Sequence, residues 1–153
     1  MASAASTPHC GAHNDIAARF VGPNGAGGEF YFLIAFTNNG AITCSMSGVP
    51  HSQPVDGTSK RPVGPSSTYQ PIEGVSRGSV VLRARGGVAY VEYFIVNEAN
   101  FDHGRCEPAN ANGVELQPFG TENFYIPSSR RGATEVCTKV ASTMVGALSS
   151  RRY

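Results

Sequence analysis

The sequence predicts an all-β domain built as a two-sheet β-sandwich of about seven to nine short strands and closed by two disulfides. Three observations carry this. Apolar residues recur at every second position, most clearly at Phe30, Phe32, Ile34 and Phe36, the spacing of a strand with one buried face. Turn residues interrupt the chain at short intervals, with 18 glycines and 10 prolines in 153 residues, which leaves little room for long helices. Four cysteines stand well apart with no Cys-x-x-Cys pair, a pattern that favours disulfides over a thiolate zinc site.

One domain is expected over residues 10–148, after a disordered segment 1–9 and before a tail 149–153. Cys10 opens the ordered part. Ile16, Ala18 and Phe20 alternate within Asp15 to Val21 and form a first strand. Gly22-Pro-Asn-Gly-Ala-Gly-Gly28 reads as a flexible hairpin connection; a phosphate-binding loop would need a lysine and a following helix, and here a strand follows.

The stretch from Glu29 to Pro50 organises the chain. Asn38-Asn39-Gly40 breaks the apolar run with residues that tolerate positive φ, and Ile42, Cys44 and Met46 resume the alternation, so a β-hairpin is predicted. A two-residue turn would place Cys44 opposite Ala35. A three-residue bulged turn pairs Phe36 with Cys44 and Ile34 with Met46. The second gathers the bulky side chains on one face and is the expected register.

Residues 50 to 78 are rich in Pro, Ser, Thr and Gly. His51 to Val55 is expected as a short edge strand ending at Asp56-Gly57, and Lys60 to Gly74 as a long surface loop. Ser79 to Asn97 reads as a second hairpin around a two-residue Gly86-Gly87 turn. That turn pairs Leu82 with Val91 and Arg83 with Tyr90. Val80, Leu82, Ala84, Ala89, Val91 and Tyr93 then face the core, while Arg83, Arg85, Tyr90 and Glu92 face solvent with a cation–aromatic contact and an ion pair.

Asn97 to Asn112 is expected as a loop holding His103 and Cys106. Val114 to Pro118 and Phe124 to Ile126 are short strands whose prolines mark edges or ends. The β-branched residues of Thr138 to Leu148 favour a last strand over a helix.

Composition narrows the function. Twelve basic against eleven acidic side chains give a formal charge of +1, so no basic field points to nucleic acid. No apolar run approaches the roughly eighteen residues of a helical membrane span. The start, Met1 to Pro8, has no basic or strongly apolar region. It is expected to be the small-residue start of a mature secreted chain whose signal peptide has been removed. A monomer is expected.

Candidate chemistry is sparse. Gly74-Val-Ser-Arg-Gly78 matches the Gly-x-Ser-x-Gly pattern of serine hydrolases, but that elbow works between a strand and a helix in an α/β sheet. Here it leaves a loop and feeds a strand. His9 and His13, with His51, could meet at a metal if the disulfide draws their segments together. Exposed loop histidines are the plainer reading, because Gly11 argues against the helix that the His9–His13 spacing needs. Asp15, Glu29, Asp56 and Glu73 sit at turns or strand starts, where solvated acids are usual. The doublets Arg130-Arg131 and Arg151-Arg152 read as solubilising charge. Tyr31, Tyr69, Tyr90 and Tyr125 would make a binding platform only if exposed together; half-buried packing is their usual fate. No catalytic residue, metal site or cofactor is expected.

Cys10, then Phe36-Thr-Asn-Asn-Gly40, Cys44-x3-Gly48-x-Pro50, Gly78 before an alternating strand, Cys106-x-Pro108 and a last Cys137 together resemble an actinobacterial group of secreted proteins and lipoproteins. It is known as the domain of unknown function forty-two thirty-two. The resemblance covers roughly residues 10 to 148, and its most specific part is the Phe-Thr-Asn…Cys…Gly-x-Pro block. It implies an immunoglobulin-like β-sandwich outside the cytoplasm, common in mycobacteria and streptomycetes. It implies no activity, cofactor or catalytic residue. The lipobox before a lipidated cysteine is not visible, since His9 precedes Cys10.

The expected function is therefore a non-catalytic secreted or cell-envelope module that binds or structures an extracellular ligand. The alternative is an extracellular hydrolase or metal-dependent enzyme using Ser76 or the histidines. For the disulfides, Cys10–Cys44 and Cys106–Cys137 are expected. Cys10 leads into the first strand, which should pack near the organising hairpin, while Cys106 lies in the loop after the second hairpin and Cys137 just before the final strand, so both can sit at one end of the sandwich. Each bridge closes a loop of about thirty residues and contributes roughly 3–4 kcal/mol in the chain-entropy model.

Overall fold

The computed structural model describes residues 6–11, 15–26, 29–96, 101–119, 123–127 and 134–150. In chain order the strands are β1 (Ile16–Ala26), β2 (Glu29–Asn38), β3 (Cys44–Val55), β4 (Thr68–Tyr69), β5 (Ser79–Leu82) and β6 (Gly87–Val96). A four-residue helix, α1 (His103–Cys106), follows. Then come β7 (Pro108–Ala111), β8 (Gly113–Phe119), β9 (Phe124–Pro127), β10 (Thr134–Cys137) and β11 (Thr143–Val145). The protein is all-β, and its two main sheets make a sandwich. One sheet runs β1-β2-β6-β11-β4 and the other β5-β3-β8-β9, while β10 and β7 form a separate ribbon. The eleven described strands exceed the seven to nine expected because short segments such as β4 and β11 carry too little pattern to be read.

The inward faces follow the alternation. Ile34 and Phe36 of β2, Met46 of β3, Leu82 of β5, Val91 of β6, Leu116 of β8 and Ile126 of β9 are all buried in one core. Aromatic rings fill it: Phe20 meets Phe32 edge-on at 5.5 Å, and Phe36 meets Phe124 of the opposite sheet at 5.3 Å. Such contacts add to the large apolar area each ring buries.

Neither expected hairpin forms. β2 pairs with β6, Phe36 opposite Ala89 and Ile34 opposite Val91, while β3 pairs with β5, Cys44 opposite Leu82 and Met46 opposite Val80. The four strands have exchanged partners. Between β2 and β3, and again between β5 and β6, the chain crosses from one sheet to the other. A period of two fixes the buried face of a strand. It does not distinguish a partner beside the strand from one facing it across the core, since both bury the same residues.

The second crossing shows the local cause. Arg85 and Gly86 both adopt positive φ, 61° and 125°. Gly87 N–H donates to the Arg83 carbonyl at 2.9 Å, closing a turn wider than a two-residue hairpin. A Cβ at Gly87 would lie 2.2 Å from the Arg83 nitrogen, so glycine is needed there for close approach rather than for hairpin geometry. Tyr90 consequently lies opposite Ala35, not Arg83.

Other expectations shift similarly. β1 continues through Pro23 to Ala26 with a register shift after Val21, as an edge strand allows; Gly27 and Gly28 lie outside the described residues. His51 to Val55 is not an edge: it belongs to the twelve-residue β3, which lies between β5 and β8. The expected 97–112 loop contains α1 and β7, and residues 97–100 lie outside the described residues. The expected last strand, Thr138 to Leu148, shortens to β11, and β10 lies before it. At the ends, Ser45 N–H donates to the Pro8 carbonyl at 2.8 Å, and Ser149 exchanges two backbone hydrogen bonds with Tyr90. Residues 8, 9 and 149 therefore join the fold that was expected to stop at 10 and 148.

Both disulfides form as expected. Cys10–Cys44 and Cys106–Cys137 bring their α-carbons to 4.9 and 4.5 Å, within the range such bridges need.

Candidate functional site

The segment between β3 and β5 was the least legible part of the sequence, and it builds the most distinctive surface. It opens with a turn in which the Asp56 carboxylate accepts from the backbone N–H groups of Thr58 and Ser59, both at 2.9 Å. These donors, Ser59 first, hold the Asp56 carboxyl below its usual range, because they favour the charged form. The chain then lies back along β3: Val63 N–H donates to the Pro54 carbonyl, and Gln53 Nε2 donates to the Gly64 carbonyl at 3.0 Å. Gly64 has φ 73°, and a Cβ there would fall 2.2 Å from the Cys137 carbonyl oxygen. The loop is packed against β10 too closely for any other residue.

Its deepest anchor is Ser67. Its Oγ bonds Ser52 Oγ at 2.9 Å and Thr143 Oγ1 at 2.6 Å, and the Tyr93 hydroxyl joins the same group. Ser52, Thr143 and Tyr93 are all buried. Four hydroxyls from β3, the loop, β6 and β11 thus satisfy one another between the sheets, as buried polar groups must. Burial pushes the Tyr93 phenol well above its ordinary value. Among the described residues, every buried side-chain nitrogen or oxygen has a partner.

Beyond Ser67 the segment surfaces. Tyr69 of β4 is exposed, and the Arg77 guanidinium lies 5.3 Å from its ring centre. Gly74–Ser76 and Gly78–Val80 then face Leu148–Ser150 across an open depression of about 220 Å³. Its hydroxyl groups come from Ser76, Ser79, Ser149 and Ser150, and its apolar floor from Val75, Val80 and Leu148. Such a surface can accept and donate hydrogen bonds to a small polar group. Among the described residues no imidazole or carboxylate lines it.

The expected site residues are dispersed. Ser76 is exposed in this depression, whereas His9 pairs through its backbone with Ser45, and His51 is exposed on β3 opposite Gln117. His13 lies outside the described residues, as do Arg130, Arg131, Arg151 and Arg152 and the side chains of Glu29, Tyr31 and His103. Among the described residues no three His, Cys, Asp or Glu side chains converge as a metal site would require. Asp15 and Glu73 are exposed. The tyrosines make no common platform: Tyr69 and Tyr90 belong to one sheet, whereas Tyr125 lies on β9 of the other beneath the Lys60 ammonium, 3.6 Å from its ring centre.

Sequence reasoning missed Asn38, Arg77 and the hydroxyl cluster. Asn38 had a visible signal, a polar residue closing a strongly apolar strand. The serines and threonine had none, since their partners are distant in sequence.

The family described as Domain of unknown function (DUF4232) matches residues 10–149. No curated protein and no solved structure matches the chain.

Proposed function

The chain belongs to the DUF4232 family, a domain of unknown function, and on that premise we propose that it is a non-catalytic extracytoplasmic module, secreted or held in the cell envelope. It binds a small polar ligand group in the depression beside Ser76. The observation that supports this most is the pair of disulfides, Cys10–Cys44 and Cys106–Cys137. Such bridges persist in oxidising compartments and are reduced in most cytosols. The binding role draws on the depression itself: four serines and backbone groups offer recognition, and Arg77, whose guanidinium lies 5.3 Å from the Tyr69 ring centre, belongs to the same Gly74–Val80 stretch of chain. A serine hydrolase would need Ser76 activated by a base that is itself oriented by a third group. The described residues that line the depression offer neither.

The test is a glycan and lipid array probed with the purified domain and with Ser76→Trp, which fills the depression from an exposed position. Retention of a ligand by the natural chain and its loss in Ser76→Trp supports the reading. Ser76-dependent hydrolysis of ester substrates by the purified chain overturns it in favour of a hydrolase.

A further inference from the structure

The crossing between β2 and β3 contains Asn39-Gly40, a dipeptide with chemistry of its own. Glycine has no side chain to shield its amide nitrogen. In a flexible chain that nitrogen loses its proton and attacks Cγ of the preceding asparagine. A new C–N bond closes a five-membered succinimide, the Cγ–Nδ2 bond breaks, and ammonia leaves with the proton. Water then opens either carbonyl of the ring, giving aspartate or isoaspartate with no change of oxidation state.

Here every group that must move is held. Gly40 N–H donates to Asn38 Oδ1 at 3.0 Å, Asn39 N–H donates to the Asp15 carbonyl at 2.7 Å, and the Gly40 carbonyl accepts from Arg85 N–H at 2.9 Å. The Asn38 acceptor is itself fixed: its side chain is fully buried, and Nδ2 donates to the carbonyls of Ile42 at 2.9 Å and Leu82 at 3.0 Å. The Asn39 side chain, by contrast, is exposed to the water that completes the reaction.

We propose that Asn39 is a site of spontaneous deamidation which the Asn38 carboxamide keeps closed in the native fold, so that modification there records past opening of this crossing. Closure of the imide requires the Gly40 nitrogen to leave Asn38 Oδ1 and the flanking peptide groups to rotate. The reaction therefore proceeds through locally opened molecules and is slowed by the opening equilibrium. Once formed, isoaspartate inserts an extra backbone carbon before Gly40. That shifts the Gly40 nitrogen and carbonyl away from Asn38 and Arg85, so the crossing loses its bond to the Asn38 carboxamide and the Arg85 bond to the other crossing, and it does not re-close.

The full disulfide-bonded chain is incubated at mildly alkaline pH, and peptides containing Asn39 are followed by mass spectrometry, beside the same chain reduced and held in guanidinium. The native chain should deamidate at Asn39 at least about tenfold more slowly than the denatured one. Asn38→Ala, where it folds, should lose most of that protection. Equal rates in native and denatured chains overturn the proposal, as does a folded Asn38→Ala that is still fully protected. Amide hydrogen exchange at Gly40 of the natural chain gives a reading that needs no variant: slow exchange supports closure, and exchange as fast as in an unstructured peptide contradicts it.

Discussion

The Asn38 carboxamide donates to the Leu82 carbonyl at 3.0 Å, joining the β2–β3 and β5–β6 crossings between the sheets. The same nitrogen reaches the Ile42 carbonyl, and it lies 3.7 Å from the Cys44 sulfur of the Cys10–Cys44 bridge. Around it the crossings bond directly: Gly86 N–H to the Asn38 carbonyl, Arg85 N–H to the Gly40 carbonyl, and Ala84 N–H to Thr43 Oγ1. Asn38 is thus a buried cross-link between two segments far apart in sequence.

Asn38→Ala should destabilise the domain by about 1–3 kcal/mol, because it removes the bonds to the Ile42 and Leu82 carbonyls and to the Gly40 amide, the one to Leu82 in a buried site. A urea titration measures this as a lower midpoint with an unchanged slope. A variant as stable as the natural chain would show that the crossings stand without Asn38.

Adjacent residues at the end of β5 should respond very differently. Leu82 is fully buried and Arg83 is exposed. Leu82→Ala should cost about 2–5 kcal/mol through lost burial and the cavity left behind. Arg83→Ala should cost less than about 1 kcal/mol. The same titration compares them, and equal losses would place Leu82 outside the core.

How far the fold was legible follows from residues such as these. Leu82, Val91, Ile34 and Met46 could be assigned to the core from alternation alone, because burial of a face is a local, period-two property. Their partners could not, because pairing Ile34 with Val91 rather than Met46 goes with Asn38 meeting Leu82 across 44 residues. The disulfides were legible because cysteine count and spacing limit the pairings. The depression was not. Gly74 to Ser76 carries no pattern, and of its other wall Leu148 reads as the end of a strand and Ser149 and Ser150 as the start of a tail.

Tyr93 should control the alkaline limit of stability. Its phenol is raised by burial, so the fold favours the protonated form while the unfolded chain ionises at about pH 10. The contribution is full below that pH and is lost as the pH climbs above it. Tyr93→Phe should cost about 0.5–1.5 kcal/mol near neutrality through the lost hydroxyl bonds, and should flatten the alkaline decline. Thermal unfolding across alkaline pH reads both effects, and an unchanged decline in the variant would assign it to other groups.

Glu92 should act in the same sense, in the carboxylate range rather than the alkaline one. It lies on β6 opposite Leu33, and partial burial raises its carboxyl above the usual value. The fold therefore penalises the ionised form, and stability falls as the pH rises through the carboxylate's folded value. Glu92→Gln should raise the melting temperature at neutral pH, with the gain shrinking toward acid. A variant that melts lower at neutral pH would mean that the charge is favourably paired.

The most direct test of an extracytoplasmic, disulfide-closed module is non-reducing peptide mapping of the chain after expression with export to an oxidising compartment. The bridges close loops of 34 and 31 residues and stabilise the fold by roughly 3–4 kcal/mol each in the chain-entropy model. They should therefore be complete. The account predicts linked peptides Cys10–Cys44 and Cys106–Cys137 and no free thiol. A Cys10–Cys106 or Cys10–Cys137 peptide would contradict the fold, and four free thiols would contradict the compartment as well.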